Sequence, residues 1–124
     1  MRKILILVIM TVGLFGCSND DTSELRIRLS NASKFNFQNI KVNTSTDDVN
    51  FENIVPGQNT VYKIFDTAYS YAFVELQIDG KTYTLQPIDY VGEIPLEKGN
   101  YTYEISANDS QEQHGKLSLV LIKD

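Results

Sequence analysis

Few side chains in this sequence have the types and spacing that catalysis or metal binding requires. His114 is the only histidine and Cys17 the only cysteine. A hydrolytic triad needs an imidazole held between a nucleophile and an acid, and the sequence has no Gly-x-Ser-x-Gly turn to carry such a nucleophile. A zinc site usually takes several His or Cys ligands. We therefore expect His114 to be a solvated loop residue beside Gly115, and we predict no catalytic residue, no metal and no cofactor.

Asp48, Asn50 and Glu52 have the alternate spacing of calcium ligands. On a strand, these three side chains share the outer face while Val49 and Phe51 point inward. A calcium loop also needs a glycine that turns the chain, and this stretch lacks one. We therefore predict a solvated strand face here, with a calcium site as the alternative.

The start of the chain is typical of a secretory signal peptide, which we predict over residues 1–16. Arg2 and Lys3 supply positive charge, and residues 4–16 are uncharged. This apolar run is shorter than the about 20 residues that a helix needs to span a bilayer. Its length and basic flank fit a cleaved leader.

Cys17 stands where cleavage of such a leader must fall. Leu14-Phe15-Gly16-Cys17 resembles the bacterial lipobox, although Phe15 is larger than the residue usual there. The resemblance implies cleavage before Cys17, transfer of a diacylglyceryl group to its sulfur, and acylation of its amino group with a chain such as palmitate. Each buried methylene contributes about 0.8 kcal/mol, so two or more chains hold a domain on a membrane. The alternatives are a buried or free cysteine, and an ordinary secretory signal with a chance sequence around Cys17.

Residues 17–23 are predicted to be the lipidated cysteine and a flexible acidic tether, followed by a single β-sandwich domain over residues 24–124. The tether, SNDDTS after Cys17, has no apolar side chain to bury. An acidic stretch directly after the cysteine resembles the surface-export signal of Bacteroidota lipoproteins, with plain linker composition as the alternative. We expect a cell-envelope location, most simply the outer membrane, with the periplasmic and surface orientations both open.

The overall charge disfavours one class of partner. The chain has 16 acidic residues against 11 basic ones, for a net charge of −5. A nucleic-acid backbone must be met by clustered Lys and Arg, so we expect no nucleic-acid partner. Because there is one cysteine, no disulfide forms within the chain, and the fold must rest on apolar burial.

The spacing of apolar residues predicts an all-β domain after the helical signal peptide. Residues 24–30 (ELRIRLS) and 71–78 (YAFVELQI) alternate with the period of two that a half-buried strand has. Asp79-Gly80 separates two such runs, which is a strong hairpin signal. Seven or eight short strands predict an antiparallel immunoglobulin-like or fibronectin type III-like sandwich.

Two segments depart from simple alternation. One extra residue near Gln38-Asn39, a β-bulge, reconciles the parity of residues 35–37 with that of residues 40–42. Residues 117–122 (LSLVLI) are apolar on both parities, which predicts a central strand or one covered on both faces.

Leu96, Gly99 and Tyr101, in LEKGNYTYEI, resemble the corner of an immunoglobulin-like or fibronectin type III-like sandwich. The resemblance implies that the tyrosine hydroxyl donates a hydrogen bond to the backbone of the preceding turn and secures a crossover between the sheets.

A broader resemblance covers most of the chain after the tether. RIRLSNAS, FENIVPGQNTVY, LEKGNYTYEI and LVLIKD resemble, in order, an extracytoplasmic bacterial family with the pattern R-V-x-N-A-S … G-x-x-T-x-Y … L-x-x-G-x-Y-T … D. The resemblance implies a β-sandwich, often lipid-anchored, and implies no activity because none is assigned to that family. Lys34-Phe35-Asn36 stands where the family usually has an S-P-D-A-P loop.

Aromatic residues are the main candidates for a binding surface. The chain has seven tyrosines, six phenylalanines and no tryptophan. Tyr71 and Phe73 share a strand face with polar neighbours, and Tyr90 lies in an apolar stretch. Exposed aromatic side chains among polar ones form binding surfaces. We favour packing against the second face of the sandwich and keep a binding surface of Tyr71, Phe73 and Tyr90 as the alternative.

Asp66-Thr67-Ala68 resembles the O-glycosylation site of Bacteroidota periplasmic proteins. The resemblance implies a glycan on Thr67, which lies between two predicted strands.

These features together predict a non-enzymatic binding or adhesion module, held on a membrane through Cys17, with an envelope protein or a glycan as partner. The first alternative is an assembly subunit that docks a partner by strand addition, and a small hydrolase is the least favoured. A binding module is expected to have an aromatic patch away from the tether, an assembly subunit a long unpaired edge, and an enzyme a concave pocket with convergent polar groups.

Overall fold

The computed structural model describes residues 23–86 and 94–124, which form an all-β sandwich of two four-stranded sheets. The strands are β1 (Leu25–Asn31), β2 (Gln38–Asn43), β3 (Asp48–Phe51), β4 (Lys63–Phe65), β5 (Phe73–Ile78), β6 (Lys81–Leu85), β7 (Gly99–Ala107) and β8 (Leu117–Lys123). Sheet 1 has the order β4-β1-β7-β8 and sheet 2 the order β3-β2-β5-β6. The predicted sandwich is confirmed. No helix able to cross a membrane occurs in the described ranges.

One pair of the described strands is parallel. β1 and β7 pair in parallel from Leu25 opposite Gly99 to Asn31 opposite Ile105, whereas all other paired strands in the two sheets are antiparallel. The predicted antiparallel arrangement is confirmed for the other pairs and is wrong for this one. Parallel neighbours require a long crossover connection, and the whole of sheet 2 lies between β1 and β7 in the chain.

Six strands have the pairings of an immunoglobulin sandwich. β1 and β4 pair as strands B and E do, β2, β5 and β6 pair as C, F and G do, and β3 is the extra C′ strand. β7 and β8 lie on the flank of β1 where strand A stands in that fold. The last two strands therefore complete sheet 1 from the C-terminal part of the chain.

The core lies between the two sheets and comes from the inward parity of each strand. β1 alternates buried and half-buried side chains along its whole length, as its sequence predicts. The largest fully buried apolar side chains are those of Tyr103, Phe37, Ile27, Leu29, Ile40, Leu76, Ile105, Val42 and Val74. Burying one such side chain stabilises the fold by about 1.5–3 kcal/mol relative to leaving it in water.

The predicted bulge and hairpin are both confirmed. The register between β2 and β5 shifts between Gln38 and Lys41, and Asn39 in between has a φ of 51°. Asp79 and Gly80 join β5 to β6 with φ values of 54° and 80°. Positive φ at both central residues is what a type I′ turn requires.

β8 is an edge strand, so the prediction of a central strand is wrong. Within the described residues it pairs with β7 alone. Val120 and Ile122 are 57% and 39% exposed on the outer face, and Leu119 and Leu121 are half-buried on the inner face. The apolar residues on both parities therefore mark an incompletely covered edge.

The sandwich has two distinct ends. β1 begins at Leu25, at the end of the sandwich that follows the predicted tether, and its seven residues extend about 20 Å to the opposite end. We call these the tether end and the distal end. The distal end carries the loop of residues 32–37, the hairpin of residues 79–80 and the loop of residues 108–116. The tether end carries residues 66–72 and 94–98, where Gly99 N donates to Glu24 O at 2.9 Å.

Candidate functional site

A cleft of about 220 Å³ opens at the distal end, between the β1–β2 loop, the β5–β6 hairpin and the β7–β8 loop. Its lining residues are Phe35, Ile78, Asp79, Lys81, Tyr83, Gln111 and Lys116. We call it the distal cleft. It combines two aromatic rings and an aliphatic side chain with charged groups, so it offers both apolar contact and hydrogen-bond donors.

Lys116 is the most deeply buried charged group of the cleft, at 3% exposure. Its ammonium donates to Asn108 O at 2.8 Å and to Ser110 O at 2.9 Å. It also lies 4.5 Å from the centroid of the Phe35 ring and 5.1 Å from that of Tyr83. Carbonyl oxygens and aromatic faces both stabilise a cation that has lost water. Lys116 therefore fixes the β7–β8 loop over the core.

Lys81 places a second ammonium at the cleft. Its Nζ donates to Gln111 O at 3.0 Å and lies 5.5 Å from the centroid of the Tyr83 ring. Tyr83 Oη donates to Gln111 Oε1 at 3.4 Å. Because a lysine ammonium has three N–H donors, Lys81 keeps two and Lys116 keeps one that no described residue accepts by hydrogen bonding.

The charge of the cleft walls is opposite in sign to that of the chain. Among the described residues, Lys81 and Lys116 line it together with one carboxylate, Asp79, whereas the net charge of the chain is −5. At the rim, the Lys34 ammonium is 3.1 Å from Asp109 Oδ1, and both side chains are exposed. The cleft is therefore a cationic site on an acidic protein, which favours an anionic ligand.

Sequence patterns do not predict this cleft. Lys116 has the parity of the exposed Ser118, so alternation alone places its side chain in solvent. The β7–β8 loop folds over that side chain and buries it. A weak signal is that Lys34 adjoins Phe35 and that Lys81 shares a strand face with Tyr83.

A second polar cluster covers the outer face of sheet 1. Asp124 Oδ2 accepts hydrogen bonds from Tyr62 Oη at 2.6 Å and from Thr102 Oγ1 at 2.8 Å. Arg28 Nε donates to Thr102 Oγ1 at 3.0 Å and lies 3.8 Å from Asp124 Oδ2. The Arg28 guanidinium also lies 4.9 Å from the centroid of the Tyr62 ring. We call Arg28, Tyr62, Thr102 and Asp124 the Asp124 network.

The Asp124 network changes the acidity of Tyr62. Burial raises the pKa of the Tyr62 hydroxyl above its ordinary value, and the hydrogen bond to Asp124 and the negative charge of that residue raise it further. The positive charge of Arg28 acts in the opposite direction and is the smaller effect. Tyr62 therefore keeps its proton, and with it the bond to Asp124, to a higher pH than a free tyrosine.

The segments that carry the family resemblance meet in this network. Arg28, Tyr62, Thr102 and Asp124 come, in order, from RIRLSNAS, FENIVPGQNTVY, LEKGNYTYEI and LVLIKD. In the same region, Thr60 Oγ1 accepts a bond from Leu29 N at 3.0 Å. These residues fasten the strands of sheet 1 to one another and point by themselves to no ligand.

Tyr71 and Phe73, two of the three aromatic residues predicted as a binding surface, do not adjoin the distal cleft. Tyr71 is 51% exposed, and Phe73 is half-buried opposite Asn43, at the tether end of sheet 2. Tyr90 lies outside the described residues, as does Cys17. A surface formed by these aromatics stays a prediction, and the residues that the structure brings together are Phe35 and Tyr83.

The corner residues hold the tether end together. Tyr101 Oη donates to Glu97 O at 2.8 Å, Leu96 N donates to Ala68 O at 2.8 Å, and Gly99 has a φ of 142°. In the immunoglobulin fold this corner precedes strand F, whose equivalent here is β5. In this chain it precedes β7 and connects the segment before that strand to the start of β1.

Thr67 lies in the segment between β4 and β5 and is half-buried. Its carbonyl accepts a bond from Thr46 Oγ1 at 3.4 Å, and the neighbouring Asp66 N donates to Asp47 Oδ2 at 2.6 Å. These bonds hold the segment against the β2–β3 loop. Glycosylation of Thr67 stays a prediction.

The remaining chemical candidates are engaged in structural contacts. His114 is exposed, with Nδ1 2.6 Å from Thr84 Oγ1. Glu52 Oε2 accepts from Val61 N at 2.9 Å. Burial raises the pKa of Glu52, but its backbone hydrogen bonds and Lys63 outweigh this and leave the pKa lowered. Among residues 23–86 and 94–124, no three His, Cys, Asp or Glu side chains are grouped to hold a metal.

The fold is shared with a protein of known structure. A protein from Eubacterium rectale, solved by NMR, superposes with a TM-score of 0.54 over 82% of this chain and 94% of its own, at 18% sequence identity. At that identity the likeness shows the fold alone. No protein-family model matches the chain, and no curated protein matches it.

Proposed function

We propose that this chain is a lipid-anchored, non-enzymatic binding module of the bacterial cell envelope, most simply of the outer membrane, and that it engages its partner through the distal cleft. The observation that carries the proposal is the position of the cleft. It lies at the end of the sandwich opposite the segment that leads to Cys17. A lipid at Cys17 would leave that end directed away from the membrane.

The reach of the chain supports this arrangement. Residues 18–23 span about 20 Å when extended, and β1 adds about 20 Å between the tether end and the cleft. The cleft would therefore stand clear of lipid headgroups. Its partner would be an envelope protein or a glycan.

The groups of the cleft support binding and not catalysis. Lys116 already donates to two backbone carbonyls, so its ammonium serves as a fixed donor. Asp79 is the one carboxylate among the described residues of the lining, and general acid–base hydrolysis of glycosides uses a facing pair. A cleft with hydrogen-bond donors and apolar walls is suited to recognition.

The anchor is tested with Cys17→Ala in cells fed radiolabelled palmitate. We expect the variant to lose the label and to leave the membrane fraction or to accumulate with its leader uncleaved, because the acceptor sulfur is gone. Ser18→Ala is the matched control and should label normally. Continued palmitate incorporation in Cys17→Ala would contradict the anchor.

The binding surface is tested by affinity capture from an envelope extract, together with a glycan array, using the chain from residue 18 onward. Lys81→Glu, which reverses one charge of the cleft, should weaken capture of whatever partner is found. Lys98→Glu makes the same change of net charge at the tether end and should not. Equal capture by both variants would contradict a role for the cleft.

β8 favours a second candidate function, an assembly subunit that docks a partner by strand addition. β8 is a seven-residue edge strand with two exposed apolar side chains, Val120 and Ile122. Natural edge strands are usually protected by charge, so an apolar edge suits a partner strand. Val120→Lys with Ile122→Lys should abolish assembly under this candidate and leave cleft-dependent capture intact under the first.

A further inference from the structure

We infer that the distal cleft binds the carboxylate groups of an acidic polypeptide segment. This inference rests on the proposed binding function and specifies its ligand class. The residues that carry it are Lys81 and Lys116 as donors, Phe35 and Ile78 as apolar walls, and Asp79 as an opposing charge.

The unused donors of the two ammonium groups fit an anion. Lys81 donates one of its three N–H groups to Gln111 O, and Lys116 donates two of its own to Asn108 O and Ser110 O. The remaining donors belong to two residues that line the same cleft. A carboxylate has two oxygens that accept such charge-assisted bonds, which are stronger than bonds between neutral groups.

Lys116 is preorganised for this role. Its two carbonyl bonds and its position over Phe35 hold the ammonium in place before any ligand arrives. A ligand therefore does not have to immobilise this side chain, and the entropy that binding would otherwise cost has already been lost on folding. Lys81 is exposed and supplies the adjustable second contact.

The aromatic rings of the cleft favour a peptide over a sugar. Sugar recognition uses open aromatic faces, but Lys116 and Lys34 lie 4.5 Å and 5.6 Å from the Phe35 centroid. Lys116 and Lys81 lie 5.1 Å and 5.5 Å from the Tyr83 centroid. Each of the two rings thus already has two ammonium groups within about 6 Å of its centroid, which leaves less of its face open to a sugar.

The size of the cleft also favours a peptide segment as the ligand. Its volume of about 220 Å³ is below the range of about 300–1,000 Å³ that is typical of pockets for drug-sized molecules. A glutamate side chain or the end of a peptide enters such a space, with its methylene groups against Ile78. The rest of the partner would then lie outside the cleft.

The test measures fluorescence anisotropy of short labelled peptides with the full chain solubilised in a mild detergent. One peptide alternates glycine with glutamate and has an amidated end. A second replaces every glutamate with glutamine, and a third is the glutamine peptide with a free terminal carboxylate. A galacturonate oligosaccharide is the glycan arm. We expect binding of the first or the third peptide, weakening as salt is added, and no binding of the second.

Three variants sharpen the result without disturbing the buried Lys116. Lys81→Gln should weaken binding of the glutamate peptide about tenfold, because one charge-assisted contact is lost. Asp79→Asn should tighten binding about threefold by removing the opposing charge. Lys98→Gln alters the net charge as Lys81→Gln does, but at the tether end, and should leave binding unchanged.

Several results would overturn the inference. They are equal binding of the glutamate and amidated glutamine peptides, no binding of any peptide, and binding of galacturonate alone. Insensitivity of peptide binding to both Lys81→Gln and Asp79→Asn would do the same. If peptides fail while envelope capture still depends on Lys81, the ligand class is wrong and the binding module stands. If capture from the envelope extract is also unchanged by Lys81→Glu, the proposed function fails as well.

Discussion

Two regions of this sandwich place a cation over an aromatic ring, with different consequences. In the Asp124 network, the Arg28 guanidinium lies 4.9 Å from the Tyr62 centroid and is 3.8 Å from the Asp124 carboxylate. In the distal cleft, the Lys116 ammonium lies 4.5 Å from the Phe35 centroid and donates to carbonyl oxygens only. The first cation has a carboxylate partner within the fold, whereas the described contacts of the second are carbonyl oxygens and aromatic rings at a cleft.

The difference distinguishes a structural cluster from the proposed binding site. A charge that is balanced by a neighbouring carboxylate on a flat sheet face presents little field to a ligand. A charge that is held only by dipoles and rings beside a concave surface still attracts an anion.

The largest effect on stability is expected from Lys116→Ala. The variant removes the donor for two backbone carbonyls and leaves a gap beside Phe35, so we expect a loss of about 2–3 kcal/mol in the free energy of unfolding. Guanidinium unfolding measures it. Lys81→Ala, at the exposed lysine of the same cleft, should change stability by less than about 0.5 kcal/mol. If both variants behave alike, Lys116 does not hold the loop.

Asp124→Ala tests the other side of the comparison. It removes the acceptor shared by Tyr62 and the buried Thr102, so we expect a loss of about 1–2 kcal/mol. Asp109→Ala is the control, because its exposed pair with Lys34 contributes about 0.2–1 kcal/mol at most. A loss no larger than that of the control would show that the network adds nothing to stability.

Tyr101→Phe measures an uncharged hydrogen bond, with which the Asp124 network and the Lys116 contacts can be compared. The change deletes only the hydroxyl that donates to Glu97 O, and we expect a loss of about 1 kcal/mol. Tyr71→Phe removes an exposed hydroxyl at the same end of the molecule and should be neutral. An unchanged denaturation midpoint for Tyr101→Phe would show that the hydrogen bond from Tyr101 to Glu97 O does not stabilise the fold.

The smallest effect is expected in the alkaline range and distinguishes Tyr62 from other tyrosines. Because folding raises the pKa of Tyr62 above its ordinary value of 10.0, its contribution to stability is fully present below about pH 10. It is lost as the pH rises through the raised pKa. The stability difference between the native chain and Tyr62→Phe should therefore shrink above that pH. A difference that stays constant to higher pH would contradict the assigned environment.

Much of the fold follows from short-range sequence patterns. The alternation in β1 and β5 predicts half-buried strands because side chains alternate between faces with a period of two. Asp79-Gly80 predicts its hairpin because both residues tolerate positive φ. The bulge at Asn39 follows from the change of parity between Phe37 and Ile40. Each of these depends only on neighbours in the chain.

The pairing of distant strands did not follow from such patterns. β1 and β7 are parallel neighbours in sheet 1, although all the strands of sheet 2 lie between them in the sequence. No local periodicity of apolar residues encodes that pairing. β8 has apolar residues on both parities, which fit a central strand as well as an exposed edge. Only the strand order shows that it is an edge.

The candidate site was the least predictable part. Its residues come from the β1–β2 loop, the β5–β6 hairpin and the β7–β8 loop, which are distant from one another in sequence. Lys116 has the parity of a solvent-facing residue. The predicted aromatic residues Tyr71 and Phe73 lie at the other end of the sandwich. A site formed by loops cannot be predicted from the periodicity of apolar residues, because that periodicity shows only which side of a strand is buried.

The most direct test of the central claim is site-specific photo-crosslinking in cells that express the full chain. A photoreactive amino acid replaces Gln111 at the distal cleft in one variant and Tyr71 at the tether end in another. We predict that Gln111 yields a discrete crosslinked partner, lost on Lys81→Glu, and that Tyr71 yields none. A partner crosslinked from Tyr71 and not from Gln111 would contradict the distal cleft as the working surface of this protein.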